Sequence, residues 1–145
     1  MEKLLISACL IGKNCKYSGG SNALQEEQLR QLQLCYELIP VCPEQMGGLP
    51  TPRTPAERRG EQVINRDGRD VTAEFYAGAE QTLTITKDQK IRKALLKSRS
   101  PSCGRDRIYD GSFTGTLIRG NGVTAQTLIE QGISVYTEEE ITQLD

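Results

Sequence analysis

Five cysteines and not one histidine delimit the chemistry open to this chain of 145 residues. Without imidazole there is neither a Ser-His or Cys-His nucleophile nor a nitrogen ligand for a metal. Four of the thiols lie in loops rich in Gly, Pro or Ser. Cys9 and Cys15 share Cys9-Leu10-Ile11-Gly12-Lys13-Asn14-Cys15-Lys16-Tyr17-Ser18-Gly19-Gly20. Cys42 opens Cys42-Pro43-Glu44-Gln45-Met46-Gly47-Gly48-Leu49-Pro50-Thr51-Pro52-Arg53, and Cys103 lies in Ser98-Arg99-Ser100-Pro101-Ser102-Cys103-Gly104. The Cys42 loop pairs its thiol with an acid. In extended backbone the side chains alternate, so Cys42 and Glu44 face the same way while Pro43 turns aside. Gly47 and Gly48 suit a backbone pressed close to a neighbour, and Pro50, Pro52 and Pro55 stiffen the exit. On these residues alone, a reactive site and a buried cysteine ahead of an irregular loop are equally good readings.

The odd number of thiols disfavours a disulfide framework, and the N-terminal apolar run Leu4-Leu5-Ile6 is too short for the hydrophobic region of a signal peptide. Structural zinc usually shows Cys-x-x-Cys knuckles or Cys/His sets, and neither occurs. Ferredoxin-type clustered spacing is also absent. A single nucleophilic cysteine would need a neighbouring cation, and Lys16, Arg99 and Arg105 are available. The remaining option is an iron–sulfur cluster whose thiolates come from separate loops. Cys35 lies outside these loops, at the end of an expected helix, and reads as a small core residue.

The elements that must position these loops follow from periodicity and turn chemistry. Residues 4–7 form a first strand that runs straight into the Cys9 loop. Asn22, with Gln25 three residues on, reads as the cap of a helix reaching about residue 34. Leu38-Ile39-Pro40-Val41 forms a second strand that delivers Cys42. Asp67-Gly68 between β-prone pieces is a hairpin signal. Thr72 caps a helix whose Phe75, Ala79 and Leu83 share one face, running to about residue 88. A third strand over 91–96 delivers the Cys103 loop. Gly120-Asn121-Gly122 reads as turn chemistry before a helix over 123–131, stopped by Gly132. A last strand over 133–136 leads to a short terminal helix capped by Thr137 and Glu140. Strands alternating with helices predict one Rossmann-like α/β domain over residues 1–145, a mainly parallel sheet flanked by helices. Ligands gather beyond the carboxyl ends of such strands, where Cys9, Cys42 and Cys103 all fall.

Bulk properties set the remaining limits. Hydrophobic content of 37% and charged content of 26% fit a soluble globular protein, and no apolar stretch approaches the ~20 residues that span a bilayer. A cytoplasmic protein with no membrane partner is expected. The net charge of -1 gives no whole-chain attraction to nucleic acid, although residues 53–107 hold 13 Lys/Arg against 8 Asp/Glu. That excess is either a solvated face or a weak surface for polyanions. Aromatics at 5% leave little for an extended base-stacking platform.

Taken as a set, the three cysteine blocks resemble a small bacterial family, formerly a domain of unknown function, that includes the thiouracil desulfidases. The resemblance runs the length of the chain in the same block order, and Asp70-Val71-Thr72-Ala73-Glu74-Phe75 matches the family's mid-chain helix start. Lys16 and Ser18 depart from the Arg and Asp more frequent in the first block, which bears on substrate choice. The resemblance implies a 4Fe–4S cluster held by three cysteines, with the fourth iron open to the substrate's sulfur. Its ligands would be three of Cys9, Cys15, Cys42 and Cys103. Glu44 falls on the family's catalytic acid/base and Ser100 on its hydroxyl partner. The implied activity is non-redox desulfidation of a thiolated pyrimidine, thiouracil plus water giving uracil and hydrogen sulfide, with the cell's cluster-assembly machinery as a partner. Desulfidation of thiolated tRNA, a non-catalytic iron–sulfur or sulfide carrier, and a zinc-stabilised binding domain are the alternatives.

Overall fold

Leu4, Leu5 and Ile6 are consecutive and all fully buried, which only a strand covered on both faces allows. The computed structural model describes residues 1–144 and places that strand, β1 (Glu2–Ser7), inside the sheet. A 3-10 turn, Ala8–Ile11, follows it. The chain continues through α1 (Glu26–Cys35), β2 (Tyr36–Val41) and a single helical turn, α2 (Pro43–Met46). A hairpin of β3 (Ala56–Arg59) and β4 (Gln62–Asn65) leads to the long α3 (Thr72–Asp88) and then β5 (Lys93–Leu96). A second hairpin, β6 (Arg107–Tyr109) and β7 (Leu117–Arg119), precedes α4 (Val123–Glu130), β8 (Ser134–Thr137) and a 3-10 segment, Glu138–Gln143.

The main sheet has the order β2-β1-β5-β8 with every pairing parallel, as the alternating segments predict. Successive strand residues serve opposite layers. Leu5, Ala94 and Leu96 pack with Leu83 of α3 and Ala125 and Leu128 of α4. Leu4, Ile6 and Leu95 pack with Leu32 of α1 and with Leu144 on the other face. The first hairpin leans on α3 through Val63, Val71, Phe75 and Ala79. No helix among the described residues is long and apolar enough to cross a membrane.

Three local expectations are corrected, at Asn22, Thr72 and Cys35. Asn22 does not cap α1; Gln25 does, in a reciprocal box with Gln28. Thr72 is the first helical residue, and its hydroxyl accepts from Val63 N rather than capping. The Asp67-Gly68 turn forms as expected, with Ile64 bridging Asp70 antiparallel across it, and a further hairpin ladder of β3 and β4 closes around Gly60. The pairing of β6 with β7 on either side of the irregular residues 110–116 is a feature that sequence reasoning missed. Cys35 is an exposed residue and not part of the core, because the last turn of α1 buries Leu32 and leaves its other side in water. Replacing Cys35 by Ala is therefore expected to change stability by no more than ~0.5 kcal/mol, as for other surface positions. A thermal-unfolding midpoint well below the parent's would contradict this placement.

Candidate functional site

The ends of β2, β1 and β5 stand side by side, and each opens into one of the cysteine loops. Ser7, at the end of β1, stitches two of them together by accepting from Lys97 N at 2.9 Å. The loops enclose a cavity of about 460 Å³ whose lining includes Cys9, Cys15, Cys42, Cys103, Glu44 and Ser100. All six residues singled out in the sequence thus reach one space.

Cys9 sits in the 3-10 turn that Gly12 closes at φ 94°, and its carbonyl accepts from Asn22 N at 3.0 Å. Cys42 immediately precedes α2, with its thiol directed at the Cys15 carbonyl at 3.7 Å. Cys103 is buried, its N–H donating to Ser100 Oγ at 3.0 Å. Burial raises the Cys9 thiol against a hydrogen bond from Asn22 that lowers it. Burial, with Cys42 beside it, also raises Cys15. Cys103 is pushed up to about 12 by burial, with hydrogen bonds from Ser7 and Ser102 pulling the other way. Thiols with raised pKa values are poor free nucleophiles, which speaks against a single activated cysteine at Cys9, Cys15 or Cys103. They lose the proton when a metal takes the sulfur.

The extended backbone expected through Pro43 and Glu44 is not what forms. Pro43 occupies the first position of a helical turn, where its missing N–H costs nothing, and Glu44 follows in that turn. The turn is pressed against α3: a Cβ on Gly47 would lie 1.9 Å from the Glu74 carbonyl oxygen, and one on Gly78 would lie 1.9 Å from the Pro43 oxygen. Both positions need glycine because backbone meets backbone. Gly104 and Gly122 seat the Cys103 loop similarly, against the backbones of Ser100 and Ser102.

Both oxygens of Glu44 are engaged. Arg53 Nε donates to Oε1 at 2.9 Å, and Ser102 Oγ donates to Oε2 at 3.0 Å. The Arg53 side chain is only 7% exposed and also donates to the Pro50 and Cys15 carbonyls and to Thr51 Oγ1. It thereby ties the acid to the Cys15 loop. Ser100 Oγ lies 3.0 Å from Ser102 Oγ, and it accepts from the N–H groups of Ser102 and Cys103. With those donors pointed at Ser100, its proton is directed to Ser102 and that of Ser102 to Glu44, the charged acceptor. Ser100 reaches Glu44 only through Ser102, a residue that sequence reasoning missed. The hydroxyl two positions along in Ser-Pro-Ser was the available signal.

The C-terminal segment braces the Cys103 loop. Glu138 accepts from Lys97 Nζ, Ser98 N and Ser98 Oγ, while Arg99 reaches Glu139 and Arg105 reaches Glu140. Burial works to raise the Glu138 carboxyl, but these donors hold it below the usual carboxylate range. At the outer wall the buried Glu57 accepts from the N–H groups of Gly111 and Phe113 at 2.9 and 3.1 Å. It thus fastens Phe113 at φ 59°, a left-handed conformation that costs a non-glycine residue on the order of 1–3 kcal/mol.

Known proteins share this sequence pattern and fold. The Bacillus subtilis (strain 168) protein YbbK is 39% identical over 151 aligned positions, spanning 97% of this chain and 99% of that protein. The solved structure of the [4Fe-4S]-dependent thiouracil desulfidase TudS matches with a TM-score of 0.95 at 46% identity, covering 99% of this chain and 95% of that one. The family model described as 2-thiouracil desulfurase matches residues 4–140. The chain belongs to the 2-thiouracil desulfurase family.

Proposed function

We propose that the protein removes sulfur from a thiolated pyrimidine by hydrolysis, thiouracil plus water giving uracil plus hydrogen sulfide, with a 4Fe–4S cluster as cofactor. The observation that carries this is one cavity uniting four thiols with a carboxylate fixed on both oxygens. The donor set fits the cluster: it is all sulfur, it comes from three adjacent strand ends, and soft thiolates are the ligands that iron–sulfur centres take. Cys9, Cys42 and Cys103 would hold it, with Cys15 as the fourth thiol in the same space. Hydrogen bonds to two of these sulfurs, from Asn22 onto Cys9 and from Ser7 onto Cys103, are of the kind that tunes such centres. When bound, the cluster supplies a Lewis-acidic iron with an open position for the substrate's sulfur, with no net redox change.

The chain's own residues handle the proton. Glu44 is the general base for the attacking water, and Arg53 holds its Oε1 in place. Because Oε2 already accepts from Ser102, a proton lifted at Ser100 reaches Glu44 by a shift along the two hydroxyls. Ser100 then touches the water and Ser102 relays.

A free base rather than tRNA is the substrate this cavity favours. Part of the basic excess of residues 53–107 is committed: Arg53, Lys97, Arg99 and Arg105 stand in ion pairs, and Arg58 and Arg59 donate to backbone carbonyls. That leaves fewer cations for phosphates, on which tRNA affinity would rest. A cytoplasmic setting, where assembly machinery loads the cluster, completes the reading.

The test is anaerobic purification or reconstitution, followed by iron and sulfide analysis and assay of thiouracil. The expected result is brown protein with broad visible absorbance, roughly four irons and four sulfides per chain as the cluster type requires, and uracil formed with sulfide. Zinc in place of iron would defeat the reading. An intact cluster with no turnover of any thiolated base or tRNA would make the protein a carrier.

A further inference from the structure

The chain has two phenylalanines, and only one of them serves the core. Phe75 is buried against the first hairpin, whereas Phe113 belongs to none of the three apolar clusters and lines the cavity instead. Its position is built. Glu57, itself 9% exposed, spends a carboxylate oxygen on the N–H groups of Gly111 and Phe113. Arg59 Nε donates to the Gly111 carbonyl at 2.8 Å from beneath, and a Cβ on Gly111 would lie 2.2 Å from the Arg59 Cγ. Ser112 Oγ donates to Asp110, and Ser112, Thr114 and Thr116 form a hydroxyl chain across the loop. The Arg66 guanidinium stands 5.6 Å from the centre of the Phe113 ring, and it too lines the cavity. Arg66 makes no ion pair among the described residues.

A phenylalanine outside the core, fastened in a left-handed conformation at a cavity wall with a guanidinium over its ring, is placed to meet a partner in that cavity. A planar heterocycle fits. Its face stacks on the side of the ring away from Arg66, and the cation over the ring adds attraction to the same π system. We infer that Phe113 is the stacking surface of the substrate site, backed by Arg66 over its ring, so that the cavity selects planar thiolated heterocycles over flexible thioamides. This rests on the reading of the site as one that takes a thiolated pyrimidine. Glu57 is the positioning residue, acting only through the backbone of Gly111 and Phe113.

The experiment compares wild-type protein with Phe113→Ala, Phe113→Leu and Phe113→Trp, all cluster-loaded. Steady-state kinetics are run on 2-thiouracil, and calorimetry measures binding of 2-thiouracil and of uracil. Losing one base–aromatic stack should raise KM and the dissociation constants about 10- to 100-fold in Phe113→Ala. Leucine, which keeps bulk without a π face, should behave like alanine, while tryptophan restores binding. The kcat at saturation and the iron content should remain those of the wild type, because the ring takes no part in proton transfer or cluster binding. An unchanged KM in Phe113→Ala, with the wild type active, overturns the stacking role and leaves the desulfidase reading intact. If the wild type does not turn over thiouracil, the desulfidase reading fails and the calorimetry decides. Pyrimidine binding that depends on Phe113 upholds the stacking surface, and absence of binding, or equal binding by all four proteins, overturns it.

Discussion

Glu44→Gln is expected to carry a full cluster and to release almost no sulfide. The amide keeps the size of the side chain and an oxygen for Arg53 Nε, so Arg53 retains its bonds to the Pro50 and Cys15 carbonyls and to Thr51. What it loses is the capacity to accept a proton. It also turns an N–H group toward the Ser102 hydroxyl, which now donates to Glu44 Oε2. Removing a general base lowers the rate by roughly 100- to 10,000-fold, and that is the range expected in kcat for anaerobic turnover of thiouracil. Ser102→Ala and Ser100→Ala should show smaller losses of the same kind, since water can stand in for either hydroxyl. Iron and sulfide must be assayed in each sample, so that a lost cluster is not read as a lost base. Turnover near the wild-type value in Glu44→Gln, with the cluster intact, would take this carboxylate out of the mechanism.

Cys103→Ala should fold and yet hold no cluster. The thiol is small and buried at 4% exposure, so its removal leaves only a small cavity, with a cost of about 1 kcal/mol by the usual large-to-small scaling. The loop around it is held independently by Ser100 Oγ, by the glycine contacts and by the pairs with Glu138, Glu139 and Glu140. Circular dichroism should therefore match the parent, while iron, sulfide, visible absorbance and turnover all vanish. Cys103→Ser should share this fate, because a hydroxyl is a hard ligand that keeps the shape but not the softness of a thiolate. Full iron content in Cys103→Ala would move the ligand set to Cys9, Cys15 and Cys42.

The parallel sheet and its order of strands and helices were legible because strand burial is written in runs such as Leu4-Leu5-Ile6 and Ala94-Leu95-Leu96. The gathering of Cys9, Cys42 and Cys103 followed from strand polarity alone. What the residues could not disclose were the contacts that depend on how loops pack. Ser102 and Ser100 are both hydroxyls in one short block, and only the folded loop decides which of them meets Glu44. The helical turn at Pro43 was obscured because the sequence after a strand can run on extended or curl at a proline, and the press of α3 selects the curl. Cys35 misled for a simpler reason. Cysteine is a buried residue by habit, and the water-facing side of the last turn of α1 overrode that habit.

The glycine contacts under the two site loops have a consequence for how this protein tolerates change. Gly47 against Gly78, and Gly104 and Gly122 against Ser100 and Ser102, join main chain to main chain. Such a joint has no rotamers, so it neither loosens nor shifts when a side chain elsewhere is exchanged for another of similar kind. Stability and catalytic precision are then carried by different parts of the molecule. Substitutions at Leu83 or Leu128, deep in the packed layer, spend the folding margin while the geometry around Glu44 stays fixed. Substitutions at Gly47 or Gly78 touch little apolar surface and still displace the acid. Across a panel of core variants, melting temperature and turnover per intact cluster should accordingly vary independently of one another.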